Sequence, residues 1–198
     1  LTYFYSPMII NNLGIVDHAH EYDGQSPRKH MFTHVYHEGT ARKGANNVAS
    51  LIIKTLMKEG VMREGEMGGE LVITFDNCSG QNKNNTVLKL MVYLVECGYF
   101  KDVWFIFLVV GHTKNAADWL FNLLKRFYRK KNIYTMSQLV SELEASEFVT
   151  IDPSADQDFN DWDTFLNHFY ATFTGKIEKN HIFHVSHDNM RKGNQIEV

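Results

Sequence analysis

Cysteine is scarce in this chain of 198 residues, which contains only Cys78 and Cys97. Two cysteines are too few for a disulfide scaffold, and they are compatible with a reducing compartment such as the cytosol or the nucleus. We therefore expect an intracellular protein whose fold depends on its hydrophobic core. A length of 198 residues with 44% hydrophobic residues is enough for one sizeable core.

An excess of positive charge is also absent. The chain has 20 Lys and Arg residues against 23 Asp and Glu residues, a formal net charge of -3. A protein that binds phosphates over its whole surface is strongly basic, so this balance excludes that class. Any surface for nucleic acid must therefore be local.

Several sequence patterns that define large protein classes are missing. No segment approaches the roughly 18 consecutive apolar residues of a membrane span, and the N-terminus lacks the pattern of a signal peptide. No phosphate loop with GK[ST], no dinucleotide-binding glycine pattern and no G-x-S-x-G elbow occurs. We expect no membrane, no nucleotide cofactor and no serine hydrolase chemistry. The chain starts at Leu1 in a strand-like segment without an initiator Met, which we interpret as a fragment of a longer protein.

Strand and helix patterns alternate along the first two thirds of the chain. Residues 8–18 and 30–37 favour a β-hairpin, and residues 44–60 follow with helical spacing. Residues 71–110 then predict a β-α-β crossover, because two apolar runs of the kind found in buried parallel strands flank a helical segment. A further helix is predicted from 115 to 131. The order predicts an α/β fold, a mixed sheet flanked by helices on both faces.

The pattern weakens after residue 131, and we divide the chain there. Residues 1–131 are the predicted core domain, and residues 132–198 are a predicted C-terminal helical extension and tail that packs on this core. In the extension, helices are expected at 134–146 and 163–173, an acidic loop between them, and a short strand or tail at 180–187.

Two carboxylates lie near the predicted ends of the two crossover strands. Asp76 ends the first strand, and Asp118 follows the second at the start of the next helix. Each has an ordinary structural explanation, since Asp76 suits a turn after a strand and Asp118 suits the first turn of a helix. Carboxyl ends of parallel strands share one edge of a sheet, however, and two carboxylates there can bind Mg²⁺ or Mn²⁺ for phosphodiester chemistry.

Other polar residues surround this predicted edge. His112, in the loop before Asp118, could contact a phosphate, assist proton transfer or orient a carboxylate, or it could simply fix the loop. A polar βα loop needs no ligand, and cations near a helix C-terminus suit the helix dipole. The alternative for both is contact with nucleic acid. The candidate residues for that contact are Asn77, Gln81, Lys83, Asn84, Lys114, Lys125, Arg126, Arg129 and Lys130.

Two segments together resemble a family of uncharacterised domains in transposon-derived eukaryotic proteins. These segments are "FDNCSGQNKNN" and "FIFLVVGHTKNAADWLFNLLKRFYR". The family has a D-N-C-G-G-Q-N-K-N-like segment followed by G-H-[TS]-K-x-x-x-D-x-x-F. The segments "HEGTARKGANNVASLI" and "DWDTFLNHFYATF" are also similar to that family, so the resemblance covers most of the chain.

The resemblance implies a transposase or integrase core with the RNase H-like fold. In such a core three acidic residues bind two divalent ions, Mg²⁺ or Mn²⁺, for cleavage and transfer of DNA strands. Asp76 matches the acid after the fourth strand and Asp118 the acid that opens the helix after the fifth, where many cores have Glu. The first acid lies on the first strand of that fold, and this strand is expected to lie upstream of the chain. A nuclear location is implied.

Our leading hypothesis is a metal-dependent nuclease or strand-transferase core that acts on DNA, with a homo-oligomer left open. The main alternative is a domesticated, inactive module of transposon origin that binds DNA or protein through the same fold. An unrelated α/β enzyme is the third reading.

Overall fold

The structure, a computed structural model, describes residues 8–18, 30–109 and 116–191. Its strands are β1 (Ile10–Asp17), β2 (His30–His37), β3 (Gly68–Phe75), β4 (Phe100–Phe107), β5 (Val149–Pro153) and β6 (Ile182–Ser186). Its helices are α1 (Ala45–Lys58), α2 (Asn85–Glu96), α3 (Ala116–Tyr128), α4 (Met136–Glu144), α5 (Trp162–Phe169) and α6 (His187–Arg191). The fold is mixed α/β. Within the ranges given, none of the helices has the length and apolar character needed to cross a membrane.

The chain divides into two compact units. Residues 1–42 and 114–158 form the first, which we call the hairpin unit, and residues 43–113 and 159–198 form the second, the crossover unit. Residues 132–158 thus belong to the hairpin unit and the remaining C-terminal residues to the crossover unit. The boundary predicted after residue 131 stays a prediction.

In the hairpin unit, β2 is the central strand of a three-stranded sheet. It pairs antiparallel with β1 and parallel with β5. The predicted hairpin is therefore confirmed. Strand β5 was not predicted, because a five-residue strand that ends in Asp152 and Pro153 is too short to show a period and merges with the acidic loop behind it.

Helices α3 and α4 cover one face of this sheet. Met31 and Val35 on β2 are fully buried against them, and their spacing of four residues places both side chains on one face of the strand. Both helices contribute leucines to the same core. The buried members of this core are Met31, Val35, Leu120, Leu124, Leu143 and Val149.

The crossover unit contains the predicted β-α-β arrangement. Strand β3 pairs parallel with β4, and β6 joins the other side of β4 in the antiparallel direction. Phe105, Phe107 and Phe183 fill the interior between this sheet and α2, with exposures of 1% or less. The parallel pairing is as predicted, although β4 begins at Phe100 rather than at residue 103.

Helix α2 is buried along almost its whole length. Its residues from Thr86 to Leu90 are all buried, as expected for a helix surrounded by other elements. Helices α1 and α5 pack on it and on each other. Polar contacts fix this packing, since Thr86 donates a hydrogen bond of 2.6 Å to Asp163 and Lys89 donates one to Asn167.

Two parts of the predicted architecture need correction within the described residues. The single mixed sheet is replaced by two three-stranded sheets. Helices were predicted on both faces, but in the sheet of the crossover unit they cover one face. Val72 and Ile182 on the other face are 51% and 49% exposed. The reason is that α1, α2 and α5 pack on one another, and α2 packs on the opposite face of the sheet.

Candidate metal and nucleic-acid site

Asp76 is the first residue beyond β3, at the carboxyl end of a strand in a parallel pair. The hydrogen bonds between the two parallel strands continue up to Asp76, because the Leu108 N–H donates a hydrogen bond of 2.9 Å to the Phe75 carbonyl. The Asp76 side chain is exposed, and its Oδ1 accepts a hydrogen bond from the side-chain amide of Asn82. One carboxylate oxygen is thus held by the protein, and Oδ2 is the atom that could take a further ligand.

The loop after Asp76 turns around a single carbonyl. The carbonyl of Cys78 accepts hydrogen bonds from the backbone N–H groups of Gln81, Asn82 and Lys83, at 3.3, 2.8 and 3.0 Å. Three donors on one acceptor define a compact turn, which brings the buried Asn82 side chain back to the strand end. The loop therefore orients Asp76 as well as connecting β3 to α2.

Asn84 caps α2. Its Oδ1 accepts a hydrogen bond of 3.1 Å from the Val87 N–H, and its Nδ2 donates one of 3.0 Å to the Gln81 carbonyl. This is the usual role of Asn before the first turn of a helix. The side chain already has local partners on both ends of its amide, and its contact with nucleic acid stays a prediction.

Lys83 is buried, with only 4% of its surface exposed. Its Nζ donates a hydrogen bond of 2.9 Å to the Glu178 carbonyl and lies 5.6 Å from the centroid of the Phe107 ring. Burial lowers the pKa of the Lys83 amine, and the Glu178 charge partly opposes that effect. The amine therefore holds the turn Ile177–Lys179 against the loop. Its predicted contact with nucleic acid would require a different side-chain position.

Asn77 and Gln81 are half-buried in the same loop. Their contact with nucleic acid stays a prediction.

Asp118 is exposed in the first turn of α3. Negative charge is favourable there, because the N-terminal end of a helix carries the positive end of the helix dipole. Asp118 belongs to the hairpin unit, whereas Asp76 belongs to the crossover unit. Their approach to one another stays a prediction. His112 and Lys114, the other candidates near this point of the chain, lie outside the described residues.

The predicted basic residues lie on the C-terminal half of α3 and just beyond it. Lys125, Arg126, Arg129 and Lys130 are all exposed. Three of them line a surface cleft together with Asn122 and Tyr128. Lys131 differs, because its amine forms an ion pair with Glu142 on α4. The structure thus brings the four predicted cations together on one short segment.

The ligand types fit a divalent ion, but the described residues do not complete a site. Asp76 and Asp118 are exposed carboxylates, and carboxylate oxygens are what Mg²⁺ and Mn²⁺ prefer. Within the described ranges, no three side chains of His, Cys, Asp and Glu form a group that could hold a metal ion. Further ligands for either carboxylate would have to come from elsewhere, as the first-strand acid implied by the resemblance would.

Asn82 is the residue that sequence reasoning missed. It lies in the run "GQNKNN", where every side chain from Gln81 to Asn85 is polar and no spacing separates one amide from the next. Its role follows only from the turn around the Cys78 carbonyl. The closest signal in the sequence is the return of the chain into a helix at once after the loop, which requires a tight reversal.

Comparison with known proteins gives one family. The model of a domain of unknown function, DUF7869, matches residues 7–197. The match covers nearly the whole chain, and the protein belongs to this family. No curated protein and no solved structure matches.

Proposed function

We propose that this chain is the core of a transposase-like enzyme that cleaves or transfers DNA strands with the help of divalent ions. The observation that carries the proposal is the carboxylate of Asp76, exposed at the carboxyl end of a parallel strand and held at Oδ1 by Asn82. Ligand and metal sites of open α/β sheets lie at such strand ends. The resemblance to transposon-derived domains supplies the reaction class.

In this proposal the fold is RNase H-like, with its first strand and first acid upstream. The parallel pair β3 and β4, joined through α2, supports it. Strand β3 is an edge strand of its sheet among the described residues, so its outer side is available to a further strand. Met67 and Val72 near that edge are 54% and 51% exposed.

Asp76 and Asp118 would be the metal ligands, and His112 would assist proton transfer or hold a phosphate. Bound ions supply activation of the attacking oxygen and neutralise charge on the leaving oxygen. Asn82 keeps the Asp76 carboxylate in one orientation, and residues behind a ligand commonly contribute 10- to 100-fold to metal affinity, as an order of magnitude. The exposed cations of α3 would hold the DNA backbone.

The test is nicking of supercoiled plasmid in Mn²⁺ by the protein with its upstream segment. Asp76→Asn and Asp118→Asn should each lower the rate by at least about 10-fold, since loss of a ligand costs no less than loss of a residue behind one. Glu64→Gln, which removes an exposed carboxylate from the loop between α1 and β3, is the control and should nick normally. Unchanged nicking in both Asp variants would contradict the assignment.

A second function is favoured by a different observation. The cations of α3 form an exposed basic surface in the hairpin unit that needs no carboxylate to bind an anionic partner. A domesticated, inactive module that binds DNA would keep this surface and lose chemistry. DNA binding without nicking, in a protein that contains the upstream segment, would identify this second function.

A further inference from the structure

The outward face of α3 has a composition unlike that of an ordinary solvated helix face. With 3.6 residues per turn, its exposed positions fall within about a third of the helix circumference. The opposite side carries Leu120 and Leu124, which are buried in the core of the hairpin unit. The exposed positions of this outward face are Asp118, Trp119, Asn122, Lys125, Arg126 and Arg129.

Trp119 is the unexpected member of this face. It is 59% exposed, although Trp is costly to leave in water. Trp104, by contrast, stacks on His184 at a ring distance of 3.8 Å. Trp162 donates a hydrogen bond of 3.1 Å to Ser50 and packs against Tyr93. With the described residues, the Trp119 indole makes no hydrogen bond and no ring contact.

The cations lie along the helix from this indole. Arg126 follows Trp119 by seven residues, which is two turns and about 10 Å along the axis. Lys125 and Arg129 flank Arg126, and the Arg129 N–H still donates a helical hydrogen bond of 2.9 Å to the Lys125 carbonyl. The face therefore has an aromatic platform at one end and three positive charges at the other.

This combination selects one kind of partner. Proteins that bind single strands combine an aromatic side chain, on which a base stacks, with cations that follow the phosphates. A duplex keeps its bases stacked on one another and offers no free base to an indole. An acidic peptide would suit the cations but gives no reason for the flat indole beside them.

We propose that the outward face of α3 binds single-stranded DNA, with one base stacked on Trp119 and the backbone phosphates on Lys125, Arg126 and Arg129. Asn122 lies between the two and can donate to a phosphate or a base edge. This inference rests on the proposed function. It adds that the bound DNA is single-stranded and that Trp119 is the residue that recognises an unpaired base. Asp118 lies at the Trp119 end of the same face, so the strand would pass the predicted metal ligand.

The experiment is a binding titration of labelled oligothymidine and of a duplex of equal length, followed by fluorescence anisotropy and by quenching of tryptophan emission. Trp119→Ala should weaken binding of the single strand by about 5- to 150-fold, the usual effect of losing one stacked base. It should abolish most of the quenching and leave duplex affinity unchanged. Trp119→Phe should retain most of the affinity, because a phenyl ring also stacks.

Tyr134→Ala is the matched control. Tyr134 is another aromatic residue of the hairpin unit, 75% exposed, and it precedes α4 rather than lying on α3. Its loss should change neither titration. Because both positions are exposed, all variants should keep the wild-type thermal midpoint, which is measured first.

The outcomes separate this inference from the proposed function. Single-strand binding that Trp119→Ala leaves intact would overturn the inference, as would an equal loss for duplex or no binding by the wild type. Plasmid nicking is measured on the same preparations. If the protein nicks plasmid whatever the binding titrations show, the enzyme proposal is retained. If it does not nick plasmid but its single-strand binding depends on Trp119, only the enzyme proposal is overturned.

Discussion

The side-chain amide of Asn82 donates a hydrogen bond to Oδ1 of Asp76, so a buried residue of the loop fixes an exposed carboxylate at the end of β3. The contact joins two residues six positions apart, on opposite sides of the turn around the Cys78 carbonyl. The pair gives the proposed metal ligand a defined orientation before any ion arrives.

Replacement of Asn82 by Ala should therefore weaken Mn²⁺ binding at Asp76. We expect a loss of about 10- to 100-fold in affinity, because a residue behind a ligand sets its orientation. The measurement is the Mn²⁺ concentration that broadens the amide signals of residues 75–78 by NMR. Asn167→Ala is the control. It removes another side-chain amide that has a hydrogen-bond partner, because Asn167 on α5 accepts a hydrogen bond from Lys89. Equal broadening in wild type and Asn82→Ala would show that the contact does not orient a ligand.

The buried amine of Lys83 predicts a dependence of stability on pH. Its folded-state pKa is lowered by burial from the ordinary value of 10.5. Between the lowered pKa and 10.5, the unfolded chain holds the proton and the folded chain does not, so the free energy of unfolding rises with pH. Lys83→Met should remove this rise, which is at most about 1.4 kcal/mol per pH unit.

Urea unfolding at several pH values below 10.5 measures the difference between wild type and Lys83→Met. Lys101→Met, which removes an exposed lysine from β4, should retain the slope of the wild type. If the slopes of wild type and Lys83→Met coincide, the amine is not buried as described. We also expect Lys83→Met to keep its affinity for DNA, because the amine is directed to the Glu178 carbonyl.

Gly14 predicts a steric effect in the hairpin unit. A Cβ at this position would lie 2.6 Å from the sulfur of Met31 and 2.6 Å from Cζ of Phe121, so a side chain of α3 closes directly over β1. Gly14→Ala should lower the free energy of unfolding by about 1–3 kcal/mol, the usual cost of overpacking. Urea unfolding checks this value.

Gly69→Ala is the matched control, in a strand of the crossover unit. A Cβ at Gly69 would meet nothing within 4 Å, and the residue is exposed. The substitution should be neutral or should stabilise by about 0.4–1 kcal/mol, because Ala restricts the unfolded chain. Equal stability of the two variants would contradict the close contact of Phe121 with β1.

The sequence was sufficient to predict those elements whose pattern extends over many neighbouring residues. The hairpin and the parallel pair of β3 and β4 were predicted because each of their four strands is eight residues long, has a clear pattern and is flanked by turn residues. Strand β5 was missed, since its five residues find their place only by pairing with β2, more than a hundred positions earlier. The division into two sheets likewise depends on pairings between distant segments.

The same distinction applies to the candidate site. The position of Asp76 at a strand end follows from the apolar run before it. The burial of Lys83 does not, because its partner is a carbonyl 95 positions away, and a lysine in a polar loop is normally exposed. The exposed face of α3 could be read from helical spacing alone, and Trp119 was passed over because a single aromatic in an amphipathic helix usually belongs to its core.

Loss of Arg126 should change the salt dependence of DNA binding. Each phosphate contact contributes about 0.7 to the slope of log affinity against log salt for single strands and about 0.9 for duplex. Arg126→Ala should reduce the slope by one such step and weaken binding to all DNA sequences alike. Lys131→Ala is the control from the same basic run, because the Lys131 amine is paired with Glu142 and should contribute little. Anisotropy titrations at four salt concentrations give both slopes. Equal reductions in the two variants would mean that DNA follows the total charge of the run, and that the outward face of α3 has no special part in binding.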